Sequence, residues 1–387
     1  MPNRSIVISS VISGVEAVPI AVECSIGEGA PDFQIIGLRR ELADEMRAIV
    51  RCAIKSTGYE WPNRNVTVAL TPLDMPKRGA HLALPIAAAV LEATGQICLR
   101  DDYVVVGEMS LSGCLAYPTR GIIAVRRLVQ ELHREMVCPS CDSMPAGYTH
   151  RALGINSLAD LRTGSFERVG CIESGEKYDA DKLEAELSDG ARAVYDRIVD
   201  LVGDDGWYEG FKSVLIVAPH ERTTYVPEAL RAAVNPISGN MVLECAAIAS
   251  VAGDGDIPSL LGYHRPIRMP DPSISLPALI GGGMPVRPGE ISLAHNGVLY
   301  LDDLALWKPS TLRQVDAARR DGHVRIVRAD GVTGMPAAFQ LVGCIAPCPC
   351  GHYGDPDRDC TCEAQQVAAW QRRIEQMSAM FDTVIHL

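Results

Sequence analysis

Apolar and polar positions alternate through the first part of the chain in the way that marks strands interleaved with helices. "SIVISSVI", "AVPIAVECSI", "NVTVALTP" and "YVVVGEMSL" have the spacing of strands, and "ELADEMRAIVRCAIKSTG" and "LALPIAAAVLEATG" that of helices. In the first of these helices Leu42, Met46, Ile49, Val50 and Ala53 recur at three and four, which turns one face inward, and Gly58 follows as a stop signal. The pattern resumes near Phe211. Val214 to Ala218, Val298 to Leu301 and Phe339 to Ile345 are short continuous apolar runs, as expected of a parallel sheet covered on both sides. Helices are expected near Pro227 to Ala233 and Ser310 to Asp321, and the "DG" of "HVRIVRADGV" marks a hairpin turn. The whole predicts an α/β protein of two folded units, 1–165 and 211–387. Between them, 166–210 contains "DADKLEAELSDGARAVYDRIVDLVG", spaced as one or two solvated helices that form an acidic connector.

Composition narrows the class. With 387 residues, 47% of them hydrophobic and 22% charged, the chain is long enough to bury two or three cores. No run of eighteen apolar residues occurs and the start lacks the pattern of a secretory signal, so a soluble cytoplasmic protein without membrane contact is expected. Thirteen cysteines, mostly scattered singly among apolar residues, suit reduced buried thiols better than a disulfide framework. Of the net charge of −12, most comes from Phe166 to Gly210, where thirteen Asp and Glu face five Lys and Arg. The rest of the chain is only mildly acidic, and bulk charge argues neither for nor against a nucleic-acid partner.

"VLIVAPHERTTY" begins as a buried strand about to enter a phosphate-binding loop, yet has no glycine and no lysine. Further on, the strand in "GVLYLDDL" ends in Asp302 and Asp303, the paired acids with which an ATPase holds Mg²⁺ and polarises water. The longer stretch "ALIGGGMPVRPGEISLAHNGVLYLDDL" resembles the magnesium-chelatase-like AAA+ proteins of the ComM type, bacterial ATPases that act on DNA. "PDFQIIGLRRELADEMRAIVRCAIKSTGYEWPNRNVTVALTPLDMPKRGAHLALPIAAAVL" and "VVVGEMSLSG" resemble that family's leading domain, and "FQLVGCIAPCPCGHYGDPDRDCTC" its cysteine-bearing segment. The resemblance implies a Lon-protease-like domain, related in fold to ribosomal protein S5, followed by an AAA+ P-loop-type core.

Placed on the family's motif, Val217 to Thr224 stand where G-x-x-x-x-G-K-T belongs, and both glycines and the lysine are missing. The glycines let backbone N–H groups curl around phosphates, and the lysine supplies a cation to the β and γ oxygens. Val217 and Arg222 instead carry β-carbons, Glu221 adds negative charge, and Thr223 and Thr224 close the run. The family's sensor Asn is Ala346 here, its Asp-Arg pair is Asp382 and Thr383, and the helical lid is not found after Leu387. The resemblance therefore implies a degenerate, truncated member with ATP and Mg²⁺ binding weak or lost. It would act as an interaction or regulatory module linked to DNA processing, and would bind a full-length relative or itself. The alternative is a working DNA-processing ATPase. A peptidase of the Lon type has no serine after "MPKRGA", where His81, Leu82, Ala83 and Leu84 stand, and has Ile122 or Ile123 in place of the base lysine.

Two cysteine groups and one basic stretch remain. Cys138 and Cys141 form a single C-x-x-C, better explained as ordinary thiols. Cys348, Cys350, Cys360 and Cys362 form two C-x-C pairs nine residues apart, with His352 as a spare ligand; they suit a structural Zn²⁺, the other reading being a merely cysteine-rich loop. Arg325 and Arg328 lie in the hairpin, where alternating arginines can meet phosphates, but Asp316, Asp321 and Asp330 dilute the charge and no aromatic interleaves. Weak DNA contact and a solvated, acid-paired face both fit.

Overall fold

The computed structural model describes residues 3–77, 79–116, 120–140, 144–145, 152–164, 166–169, 171–172, 175–202, 213–328, 331–355 and 358–387. The chain divides into two compact units, Met1–Ser174 with Ala246–Pro258, and Gly175–Cys245 with Ser259–Leu387. No helix among the described residues is long and apolar enough to cross a membrane.

The first unit is built on strands β1 (Arg4–Ser13), β2 (Glu16–Gly27), β3 (Asp32–Ile36), β4 (Asn65–Thr71), β5 (Tyr103–Val105), β6 (Glu135–Pro139), β7 (Ala152–Ile155) and β8 (Glu167–Arg168). They form one sheet in the order β8-β7-β6-β5-β1-β2-β4-β3. Period-two alternation in β2 and β4 buries Ile20, Val22, Cys24 and Ile26 against Val66, Val68 and Leu70, because the register sets Val22 opposite Leu70 and Cys24 opposite Val68. Helices α1 (Arg40–Ser56) and α2 (Ala83–Ala93) add to this core. Met46, Val50 and Ala53 of α1 are sealed as the spacing predicts, Leu42 and Ile49 flank them half-buried, and Gly58 leaves the helix at φ 77°.

Helix α3 (Ile122–Glu131) and strand β6 are not among the elements expected from the sequence, although Ile122, Val125 and Val129 of α3 have helical spacing. Ile122 and Ile123 are buried on α3, and Cys138 is buried in β6, while Cys141 lies outside the described residues. His81 directs Nε2 at the Ser10 carbonyl, 3.0 Å away, and burial depresses its pKa, so the ring is a neutral donor. That nitrogen is already engaged, as expected of a histidine with a satisfied partner.

The second unit contains helices α4 (Ala180–Ala185) and α5 (Asp189–Val202), strand β9 (Val214–Val217), helices α6 (His220–Thr223) and α7 (Val226–Ala233), the start of α8 (Asn240–Ala252), which belongs to the first unit from Ala246 on, and strands β10 (Ile267–Arg268) and β11 (Val298–Leu301). Helix α9 (Pro309–Asp321), strands β12 (His323–Arg328), β13 (Gly331–Pro336) and β14 (Gln340–Ile345), helix α10 (Ala364–Ser378) and strand β15 (Thr383–His386) complete it. Five strands pair in parallel in the order β10-β11-β14-β9-β15. Every residue of β9, β11 and β14 is buried, as expected of mainly apolar strands covered on both faces, and β14 also buries the polar Gln340. The acidic stretch does carry two helices, but α5 is not wholly solvated. Val194 and Ile198, four residues apart, pack with Val226, Leu230 and Val214 in the core of this unit.

Candidate functional site: the carboxyl ends of β9, β11 and β14

In an open parallel sheet, ligands bind beyond the carboxyl ends of the strands where the strand order reverses. The chain passes from β9 toward β10 and β11 on one side and from β14 across to β15 on the other, so the reversal falls between β9 and β14. Val217 faces Ile345 across this pair, and the Ala218 N–H donates to the Ile345 carbonyl at 3.1 Å. Beyond these residues lie Pro219 and Ala346, and β11 brings Asp302 and Asp303 to the same end.

Here the backbone after β9 closes on itself. A phosphate-binding loop would leave its N–H groups pointing outward, but only Ala218 and Pro219 separate β9 from α6. The N–H groups of Arg222 and Thr223 donate to the Pro219 carbonyl at 2.9 and 3.2 Å, and that of Tyr225 donates to the Arg222 carbonyl at 3.2 Å. Thr224 Oγ1 donates to the Glu221 carbonyl at 2.8 Å. Proline fixes φ near the value that feeds a helical turn, and no glycine offers a left-handed alternative. Of the positions singled out in the sequence, Val217 is therefore inside the strand, Arg222 and Thr223 are in a helical turn, and Thr224 ends it.

The acidic pair is held by neighbours that the motif alone did not reveal. Tyr300, buried in β11, donates its hydroxyl to Asp302 Oδ1 at 3.1 Å and reaches the Thr223 carbonyl at 3.4 Å. Burial pushes the phenol's pKa up, which keeps it a donor. The Asp303 N–H also donates to Asp302 Oδ1, at 3.0 Å, and Trp307 Nε1 donates to the Asp302 carbonyl at 2.9 Å. Asp303 has φ 39°, a left-handed conformation that Asp tolerates better than most residues. A phenol in an otherwise apolar strand needs a partner when buried, and that was the available signal for Tyr300. At the β14 side, the Ala346 and Pro347 carbonyls accept from Trp370 Nε1 at 2.8 Å and Gln371 Nε2 at 2.7 Å, so α10 covers the strand's end.

Two residues beyond Ala346 the cysteine segment begins. The four ligating atoms of Cys348, Cys350, Cys360 and Cys362 lie within 4.8 Å of one another. Cys348 Sγ is 3.3 Å from Cys350 Sγ and 3.7 Å from Cys360 Sγ, and Cys350 and Cys360 are 3.6 Å apart. A tetrahedral ion with Zn–S bonds of about 2.3 Å has sulfur–sulfur edges of roughly 3.8 Å, so these sulfurs fit one ion with little movement. Backbone N–H groups of Tyr353 and Cys350 donate to Cys348 Sγ and Cys362 Sγ, each at 3.3 Å, although burial pushes the Cys362 thiol up to about 12. The neighbouring His352 N–H is the first cause that lowers the Cys350 thiol, to about 5. The group can hold a metal ion. His352 is not part of it, since its Nδ1 faces Asp355 Oδ2 at 3.2 Å.

The basic stretch separates into two parts. On α9, Arg319 and Arg320 both pair with buried Asp316, and Arg319 also lies 3.5 Å from Asp382. On the ribbon of β12 and β13, Arg325 is exposed and Arg328 half-buried, with Val327 and Val332 opposite one another and exposed near the tip. Asp330 and the turn itself lie outside the described residues. Asp382, where the family's acid precedes an arginine, accepts from the N–H and hydroxyl of Ser213 at 2.7 and 2.8 Å. It thereby ties the amino end of β15 to the start of β9, at the opposite end of the sheet from Ala346.

The model of the family described as "Magnesium chelatase, subunit ChlI" matches residues 209–385, and that described as "Subunit ChlI of Mg-chelatase" matches residues 22–142. The protein YifB of Escherichia coli is 32% identical over 372 residues, which cover 93% of this chain and 71% of that protein. MT2965 of Mycobacterium tuberculosis is 33% identical over 368 residues, with 92% and 71% covered. Competence protein ComM of Haemophilus influenzae is 28% identical over 374 residues, with 91% and 70% covered.

Proposed function

The chain belongs to the magnesium-chelatase-like family that includes ComM and YifB, and we propose that it is a member that does not hydrolyse ATP. The observation that carries this is the helical turn His220–Thr223, whose N–H bonds run inward to Pro219 and Arg222 where a working loop would aim them at phosphate. Asp302 is left as an acceptor for Tyr300, whose hydroxyl also reaches the Thr223 carbonyl of α6, a structural use of what the family employs for Mg²⁺. In this reading 1–165 is the Lon-protease-like domain, 166–210 the acidic connector and 211–387 the AAA+ core. The four thiolates hold a structural Zn²⁺ that folds the segment between β14 and α10. The module works in the cytoplasm by binding a full-length relative or a second copy of itself in DNA processing.

A phosphate-release assay tests the missing activity. No turnover above blank is expected, and Thr223→Lys alone should stay inert, because a cation added to a turn whose Arg222 and Thr223 N–H groups already donate to Pro219 restores one contact of several and such contacts act as a unit. The second reading, an active ATPase, is favoured by the position of Asp302 and Asp303 at the carboxyl end of the sheet. Phosphate release that disappears with Asp303→Ala would establish it. DNA contact, if made by the ribbon, is weak and electrostatic. Replacing Arg325 and Arg328 by Ala should flatten the slope of log affinity against log salt by about one to two units. Tight binding that persists at high salt contradicts a phosphate-only contact.

A further inference from the structure

We propose that the metal centre closes the former nucleotide crevice from outside, by carrying Arg358 onto Glu221 so that an internal carboxylate with its own counter-ion stands beside the turn that replaced the phosphate loop. The proposal rests on the thiolate-bound zinc reading above. Arg358 lies between the two C-x-C pairs, and its Nη1 is 2.6 Å from Glu221 Oε1. Glu221 belongs to α6, the turn that took the place of the loop. The same segment is anchored at both ends: Cys348 is buried directly after Ala346 and Pro347, and Cys362 is followed at once by Glu363, which caps α10 through a reciprocal pair with Gln366. Trp370 and Gln371 then return to the carbonyls of Ala346 and Pro347. A circuit runs from the end of β14 out to the thiols, across Arg358, back to the thiols and along α10 to β14.

Within this circuit the ion has a definite task. Arg358 and Glu221 have side chains 56% and 60% exposed, and a pair so open to water contributes little by itself, about 0–1 kcal/mol. Its occupancy depends on how often the loop presents Arg358 at that spot. Four thiolates on one ion fix the loop at Cys350 and Cys360 and raise the effective concentration of the arginine beside α6; without the ion, only weak contacts such as the Cys350 N–H to Cys362 Sγ bond hold the two pairs together, and Arg358 meets α6 less often. Paired in this way, Arg358 and Glu221 neutralise one another, so the arginine offers an incoming polyphosphate no free positive charge. The ligand class of the centre is a thiophilic divalent cation, and its role is to keep this end of the sheet shut.

Hydrogen–deuterium exchange over Glu221 to Tyr225 tests this in the full chain under reducing conditions. Three forms are compared: zinc-loaded, zinc-free after withdrawal by a chelator, and zinc-loaded Arg358→Ala. Zinc withdrawal should speed exchange in that segment through easier local opening, by up to the effect of losing the pair, about two- to fivefold. Arg358→Ala should speed it about two- to fivefold while the zinc stays bound. Strand Glu16–Gly27, in the other unit, should not change. Equal exchange in all three forms overturns the proposal. Should the chelated protein unfold throughout, faster exchange in Glu16–Gly27 reveals it, and Arg358→Ala decides alone. A protein that neither contains zinc nor takes it up on titration defeats the metal reading itself, whereas unchanged exchange in a chain with one zinc defeats only the closure.

Discussion

Cys348→Ser combined with Cys360→Ser is expected to abolish zinc binding and to lower the melting temperature by roughly 6–12 °C. The protein as purified without chelator should contain about one zinc per chain, since four sulfurs with edges of 3.3 to 3.7 Å already approximate one ion's coordination shell. Structural zinc is worth roughly 10–16 kcal/mol to finger peptides that have no fold without it. Here the segment also has protein anchors, because Ile374 of α10 is buried and Trp370 packs against the same core. The loss is therefore set by the loop and its cap rather than by the whole unit, at about 3 kcal/mol, and a unit of this size changes its melting point by roughly 2–4 °C per kcal/mol. Metal analysis and scanning calorimetry read both quantities. Zinc-free native protein, together with unaltered melting of the double variant, would leave a loop that is merely cysteine-rich.

Gly297→Ala should destabilise the second unit by about 3 kcal/mol or more and lower its melting point accordingly. A β-carbon there would stand 2.0 Å from the Pro266 carbonyl oxygen and 2.6 Å from Pro266 Cγ. Neither strand can step aside cheaply. The Val298 N–H donates to that same Pro266 carbonyl at 2.9 Å, and the Gln340 N–H donates to the Gly297 carbonyl at 2.9 Å. A shift that made room would loosen the lead-in to β10, β11 and β14 together, and with it the position of Asp302. Gly334→Ala on the exposed ribbon is the control, because a β-carbon there meets nothing within 4 Å. Its melting point should stay within about 2 °C of the parent. If Gly297→Ala melts like Gly334→Ala, the close approach of these backbones is wrong.

What could be read from the sequence follows the range of the forces involved. The runs at Val214, Val298 and Phe339 announced buried parallel strands because continuous apolarity has few other uses at that length. The period of α1 was equally plain, and the two C-x-C pairs placed four thiols close enough in sequence to meet. Helix α5 was harder: thirteen acids in its neighbourhood suggested solvent on every side, although Val194 and Ile198 already had the spacing of a buried stripe. At the crevice the letters revealed that glycines and lysine were missing, but not what the chain does instead. That depends on Pro219 accepting from Arg222 and Thr223, and on Tyr300 reaching both Asp302 and Thr223, contacts fixed by the parallel register of β9, β14 and β11. The Arg358–Glu221 pair joins residues far apart in sequence and had no local signature.

Isothermal titration calorimetry of zinc-loaded protein with ATP and Mg²⁺ tests the central claim most directly, because it asks for binding without requiring turnover. The closed turn at His220–Thr223, the paired Glu221 and the hydrogen-bonded Asp302 leave the phosphates without a cradle. The expected result is no saturable heat at millimolar nucleotide, a Kd weaker than about 0.1 mM, and no rise in melting temperature under the same conditions. Saturable binding at micromolar ATP that is lost with Asp302→Asn would mean that this end of the sheet opens to receive nucleotide, and would contradict the account of a crevice closed to phosphate.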